Sequence, residues 1–221
     1  MTLLERTVRD PVVGGRVRLQ LARWARHSQT SRPLVAAIAE ICAGALGEQY
    51  PTVALATLRE ILLRRDAGGT EAALAALTRL AGSDQHRRLV LNTLVRWMGH
   101  THHRYAGGRG FLRLMRPDPG SVGLQLADDA QADPQVLGLL RVGWQRVRST
   151  GVSPHQVAEL VSAWECAARR GALRRDLAAD LLVLAVEEDT RQLVARRTGD
   201  HDRPDGTVEL LQRVYALRRG R

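Results

Sequence analysis

The sequence predicts an all-α protein, and three observations support that fold class. Helix signals recur along almost the whole chain of 221 residues. Apolar residues repeat at helical spacing, as at Leu91, Leu94, Val95 and Met98, which occupy positions i, i+3, i+4 and i+7. Strand signals are missing, because no alternating run of β-branched and aromatic residues is bounded by an Asn-Gly or Asp-Gly turn.

Capping residues place the helices of the first half in order. We expect a first helix over Leu3–Val8, and Pro51 opens a segment with apolar residues close to helical spacing. Thr70 is a favourable N-cap for a helix over Glu71–Ala81, and Ser83 caps the helix that follows.

In the second half, Asp133-Pro134 and Ser153-Pro154 each place a capping residue before a proline at the first helical position. Helices are therefore predicted to start near residues 33, 51, 70, 84, 101, 134, 154, 173 and 207.

The spacing of these starts predicts a repeat. Helix pairs recur at roughly 33–40 residues, a period typical of helical solenoids. The segment that begins at Ala54 (ALATLR) resembles the segment that begins at Ala73 (ALAALT). We therefore predict stacked helical hairpins, a HEAT-like α-solenoid of roughly five helix pairs. An ordinary helical bundle is the alternative.

The whole chain, 1–221, is predicted to form one helical-repeat domain. Residues 117–123 are rich in proline and glycine and mark a possible joint. The polar stretch 198–206 sets off a last helix.

Composition excludes several kinds of chemistry. All 33 basic residues are arginine, so a P-loop lysine and Schiff-base chemistry are impossible. Two cysteines, Cys42 and Cys166, form no disulfide framework, and we expect both thiols to be buried. Apolar runs such as Leu181–Val186 fall far short of a membrane span, and the first residues do not look like a signal peptide. We expect a cytoplasmic protein with no membrane partner.

The stretch from Gln85 to Pro117 contains seven arginines and four of the seven histidines but no acidic residue. On a helix, Arg88, Asn92 and Arg96 share one polar face, and His100 continues their row. This pattern suggests a surface for anions or nucleic acid. The alternative is a solvated helix face with Trp97 buried between helices. The candidate contact residues are Arg88, Arg96, Arg104, Arg109 and Arg113.

Other motifs in this region favour structural roles. We expect the histidines of the segment 100–103 to lie in an exposed turn rather than to bind a metal. The glycines of the segment 107–110 follow no strand, so they are expected to break a helix rather than to hold phosphate. Ser121 is interpreted as a turn residue because no strand precedes it. The four tryptophans are interpreted as packing anchors between helices: Trp24, Trp97, Trp144 and Trp164.

Three segments carry a resemblance to a known family: Ile41–Arg59, Ala76–Ala81 and Arg88–Trp97. With their Tyr-Pro turn, Leu-rich helices and Arg-Trp ending, residues 31–116 resemble a HEAT-like helical region. That region is found downstream of the ATPase module in large actinobacterial STAND-type ATP-binding proteins. The resemblance implies a non-catalytic sensor or interaction array, without the ATPase part.

We therefore expect a scaffold or sensor module, not an enzyme, with no cofactor and no metal. Its partner would be a protein with an acidic surface. A nucleic-acid-binding repeat protein that uses the arginines of residues 87–116 is the alternative. A third hypothesis is a HEAT-like enzyme that acts on nucleic acid, because HEAT-like DNA glycosylases have about this size and a basic concave face, although the chain does not match their motif.

Overall fold

The computed structural model describes residues 3–169, which are helical almost throughout. Eleven α-helices and one 3₁₀ turn, at Arg148–Thr150, make up this part of the chain, and it contains no strand. The all-α prediction is confirmed for these residues. No helix among them is long and apolar enough to cross a membrane. The predicted helices near 173 and 207 and the stretch 198–206 lie outside the described residues.

The chain divides into two compact units, Met1–Leu114 and Met115–Arg221. The prediction of one repeat domain with a joint at 117–123 stays a prediction. The helices of the first unit are α1 (Leu3–Arg9), α2 (Gly14–Arg26), α3 (Arg32–Ala43), α4 (Ala45–Gln49), α5 (Pro51–Leu63), α6 (Ala67–Gly82), α7 (Asp84–Met98) and α8 (Arg104–Leu114).

The first unit packs as hairpins with contacts between successive pairs. Helix α2 packs on α5, which touches α7 more lightly, while α3 packs on α6, which in turn packs on α8. Within the hairpins, α5 packs on α6 and α7 packs on α8. The fully buried side chains of this core include Leu21, Ile38, Leu58, Leu77, Leu94 and Phe111.

In the second unit, the described helices are α9 (Val122–Ala132), α10 (Pro134–Val147) and α11 (Pro154–Arg169). The indole nitrogen of Trp164, which is almost fully buried, donates a 2.7 Å hydrogen bond to the carbonyl of Met115. This bond joins α11 to the segment that precedes α9. Ser121 is the N-cap of α9 and accepts from the amide of Leu124 at 3.4 Å, as expected of a turn residue.

The predicted starts near 33, 51 and 84 and the proline-marked starts of α10 and α11 are confirmed within a residue or two. The assignment of Thr70 as an N-cap is wrong. Helix α6 begins at Ala67, because the carboxylate of Asp66 accepts a 2.7 Å hydrogen bond from the amide of Gly69. Thr70 is a buried residue one turn inside the helix.

The expected helix break at residues 107–110 is also wrong, since these residues lie inside α8. A Cβ atom on Gly107 would lie 2.7 Å from the backbone nitrogen of Met98 and 2.8 Å from the carbonyl oxygen of Leu94. A Cβ atom on Gly110 would lie 2.6 Å from the Leu94 side chain. The glycines therefore let α8 lie close against α7, and this packing offsets their low helix propensity.

Two expected burials also need correction. Cys42 is buried as predicted, but Cys166 is exposed on α11. Trp97, Trp144 and Trp164 are buried, but Trp24 on α2 keeps 37% of its surface in solvent and is only partly a packing anchor.

Candidate functional site

Helix α7 has the two faces that its sequence predicted. Its stripe of Leu91, Leu94, Val95 and Met98 is buried, mainly against α8 and α6. On the other side, Arg88, Asn92, Arg96 and His100 are all exposed, so the polar row is confirmed. Trp97 is 6% exposed and is therefore a buried packing residue.

A cleft of about 290 Å³ lies between α5 and α7. Helix α5 contributes positions i, i+3, i+4 and i+7 to its wall, and α7 contributes positions i, i+3 and i+4, so each set lies on one face of its helix. His100 and His103, from the turn after α7, complete the lining. The lining residues are Thr52, Leu55, Ala56 and Arg59 from α5, then Thr93, Arg96, Trp97, His100 and His103.

The cleft has a cationic polar lining and an apolar floor. Two arginines, two histidines and two threonines supply hydrogen-bond donors, and no carboxylate is among the lining residues. Within the described part of the chain, Arg96 makes no ion pair, so its five N–H groups face only solvent and the cleft. Leu55, Ala56 and Trp97 form the apolar part of the surface.

Arg59 is held by an ion-pair network beneath the cleft. Its Nε and Nη2 atoms lie 3.3 and 2.7 Å from Oε1 of Glu60, and Arg26 of α2 donates from Nε to the other carboxylate oxygen at 2.9 Å. Glu60 is buried, whereas the Arg26 side chain is 75% exposed. The Glu60 carboxylate therefore ties α2 to α5 and restrains the guanidinium that lines the cleft.

The Glu60 carboxylate stays ionised in this network. Burial by itself raises the pKa of Glu60, but hydrogen bonds and charges from Arg59 and Arg26 outweigh burial and leave the pKa below its usual range.

His103 responds to the same surroundings with a lowered pKa. Burial is the main cause, and the positive charge of Arg59 adds to it. Its ring lies 6.1 Å from that of His100, centroid to centroid, in an edge-on arrangement. Near neutral pH the His103 ring is therefore neutral, while the cleft keeps the permanent charges of its arginines.

The structure assigns different surroundings to the five predicted contact arginines. Only Arg96 lines the cleft, while Arg88 lies two turns earlier on the same exposed row of α7. Arg104 is exposed at the start of α8.

The other two arginines of that set are engaged within the first unit. Arg113 forms a 3.1 Å ion pair with Glu71 of α6. Arg109 donates a 3.0 Å hydrogen bond to the hydroxyl of Tyr105, and Arg65 stacks on the same ring at 4.7 Å from its centroid. The Arg113 ion pair links α8 to α6, whereas the Arg109 bond lies within α8 and is made to the ring on which Arg65 stacks.

The histidine segment lies in the turn between α7 and α8, as predicted, with His100 and His102 exposed and His103 half-buried. In the part of the chain that the structure describes, no three side chains of His, Cys, Asp or Glu are grouped as metal ligands would be.

Sequence reasoning did not identify α5 as the second wall of the cleft. Thr52 and Arg59 belong to no recognised binding motif, and the face of α5 that meets α7 depends on long-range packing. The one available signal is the i, i+7 spacing of the two polar residues around Leu55 and Ala56.

Comparison of the chain with known protein families, with curated proteins and with solved structures gives no match. The resemblance to the HEAT-like region of STAND-type proteins accordingly stays a prediction.

Proposed function

We propose that the chain is a non-enzymatic, cytoplasmic module of stacked HEAT-like hairpins that binds an acidic surface of a protein partner. The contacts of the first unit support stacking, because α2, α5 and α7 form one row of neighbours and α3, α6 and α8 form another. In helical-repeat arrays each hairpin likewise contacts only its neighbours. The resemblance to a STAND-type sensor region points to the same role.

The observation that carries the proposal is the cationic cleft between α5 and α7. It lies beside the exposed row of α7, so a partner that covers the row would also meet Arg96 and the cleft. Arginine suits this use, because its charge is permanent and its planar fork binds carboxylates with two hydrogen bonds. The apolar part of the cleft would add affinity if the acidic segment of the partner placed one apolar residue against it.

The test is fluorescence anisotropy with a short labelled peptide rich in Glu and Asp, measured over a salt series. The double variant Arg88→Glu/Arg96→Glu should lose binding by about tenfold or more at 0.15 M salt. The matched control is Arg16→Glu/Arg23→Glu, which reverses two exposed arginines of α2. If both variants weaken binding equally, the attraction is only that of the +10 net charge, and the proposal is wrong.

Nucleic acid is the second candidate partner, favoured by the spacing of Arg88 and Arg96 along one exposed helix face. Two of the five arginines proposed for it, Arg109 and Arg113, are already engaged inside the first unit, which shortens the phosphate track. The same assay with labelled duplex and single-stranded oligonucleotides compares the two candidates. Oligonucleotide binding that persists at 0.15 M salt and is lost only in the α7 variant would favour nucleic acid.

A further inference from the structure

We infer that the cleft between α5 and α7 binds a phosphomonoester, carried on a side chain of the acidic partner. The inference deepens the proposed function and rests on it for the carrier, but the phosphate chemistry follows from the cleft itself. Inorganic phosphate and small phosphate esters present the same group without a protein.

The charge of the cleft matches a dianion better than a single carboxylate. Arg96 contributes a full positive charge that no described residue neutralises, and Arg59 contributes a second that Glu60 partly offsets. A phosphomonoester carries about −1.5 to −2 charges near neutral pH, whereas a carboxylate carries one. No acidic residue lines the cleft, and the Glu60 carboxylate beneath it is paired with Arg59 and Arg26.

The donors of the cleft also suit three acceptor oxygens. Arg59 uses Nε and Nη2 for Glu60 and retains Nη1. Arg96 comes from the opposite wall, and Thr52 and Thr93 are the first lining residues of the two walls. His100 and His103 lie together at the end of the cleft that the turn after α7 forms.

The size of the cleft limits what carries the phosphate. About 290 Å³ is at the lower limit of ligand pockets, which run from roughly 300 to 1,000 Å³. This volume admits a phosphate with a short aliphatic attachment. The attachment would lie on Leu55, Ala56 and the edge of Trp97. A phosphorylated serine or threonine side chain combines a phosphate group, which has three acceptor oxygens, with a short carbon stem.

The experiment compares two labelled peptides by fluorescence anisotropy, one with phosphoserine at a central position and one with Glu at that position. The phosphopeptide should bind about tenfold or more tightly than the Glu peptide, and inorganic phosphate should compete with it. Arg96→Gln should remove this preference, because it removes the positive charge that Arg96 contributes to the cleft. Arg96 is exposed, so its replacement leaves the core intact. Arg16→Gln is the control, and far-UV circular dichroism checks that both variants are folded.

The outcomes separate the two proposals. Equal binding of the two peptides, with no competition by inorganic phosphate, would overturn the phosphate inference and leave the acidic-partner proposal standing. If neither peptide binds while inorganic phosphate shifts the NMR signals of Arg96 and His103 side chains, the phosphate site stands and the protein-partner proposal fails. A preference that survives Arg96→Gln places the phosphate elsewhere and overturns the inference.

Discussion

At the scale of single residues, Gly107 has little room for a side chain, because α8 lies close against α7 at this position. In an open helix, replacing glycine by alanine stabilises by up to about 1 kcal/mol. At Gly107 the new Cβ would lie under 3 Å from backbone atoms of Met98 and Leu94, and backbone cannot rotate away as a side chain can. We expect Gly107→Ala to reduce the free energy of unfolding by about 1–3 kcal/mol, measured by urea denaturation.

Gly82, the last residue of α6, is the control for that substitution because a Cβ there meets nothing within 4 Å. Gly82→Ala should leave stability unchanged or slightly raised. A Gly107→Ala protein as stable as the Gly82→Ala protein would show that α7 and α8 can separate at no cost.

The two thiols should differ strongly in reactivity. Burial raises the pKa of Cys42 to about 12, and the hydrogen bond with Thr57, which acts in the opposite direction, does not cancel that rise. Cys166 is exposed, so a thiol-specific reagent should modify it rapidly in the folded protein. Cys166→Ser should remove the fast phase, and the slow phase should appear only as the protein unfolds. A fast phase that remains in this variant would contradict the burial of Cys42.

At the scale of elements, the Glu60 carboxylate joins α2 to α5. Glu60→Ala leaves Arg59 and Arg26 without their common acceptor, although both arginines still reach solvent. We expect a loss of about 1–2 kcal/mol in the free energy of unfolding, near the lower end for a hydrogen bond to a charged group. The measurement is again urea denaturation.

Glu48 offers a matched control in the same unit, since it pairs with Arg9 but is itself 65% exposed. Exposed pairs are worth under about 1 kcal/mol, so Glu48→Ala should cost less than Glu60→Ala. Equal costs would mean that the α2–α5 link adds nothing beyond an ordinary surface pair.

Elements with a strong periodic stripe or a proline cap were predictable from sequence, and the others were not. The α7 stripe from Leu91 to Met98 predicted both its buried and its exposed face. Helix α2 was missed because it starts at Gly14 after Val13, with no capping side chain or proline at its start. Helix α9 follows a segment rich in proline and glycine that was interpreted only as a joint.

The cleft was half predictable for a related reason. Arg96 and His100 stand out within one helix, because periodicity places them on its polar face. Arg59 belongs to the site only because α5 packs beside α7, and that arrangement depends on long-range contacts that no local pattern encodes. The position of Gly107 inside α8 was unpredictable for the same reason. A glycine is favourable there only because α7 packs against it, and that contact is long-range.

At the scale of the molecule, stability and anion affinity should depend on pH with opposite signs. The pKa of His103 is lowered below its ordinary value of 6.5, so the folded state binds fewer protons than the unfolded state. Its contribution to stability is present above pH 6.5 and is lost as pH falls through the folded pKa. The pKa of Glu60 is also lowered, so its contribution to stability is likewise lost as pH falls below its ordinary pKa of 4.5.

Anion affinity should depend on pH in the opposite direction to stability, because a bound anion favours the protonated form of His103. The groups that act electrostatically on this ring are Arg59, Glu60 and His100, with Arg96 in the same cleft. Sulfate keeps its charge between about pH 6 and about pH 8, so its affinity should rise towards the lower pH. Isothermal titration calorimetry checks this, and His103→Gln should weaken the dependence. A sulfate affinity of the wild type that does not change with pH would show that His103 does not interact with the bound anion.

The close approach of α8 at Gly107 also determines how slowly part of α7 exchanges with solvent. Gly107 lies directly on the amide nitrogen of Met98 and the carbonyl oxygen of Leu94, so water reaches this peptide hydrogen bond only when the two helices part. The Met98 amide should therefore be among the slowest in the first unit to exchange its proton for deuterium. Thr93, Arg96 and Trp97 project from the adjacent face of this protected turn. One wall of the cleft is thus preorganised, so binding a ligand should cost little conformational entropy in this wall.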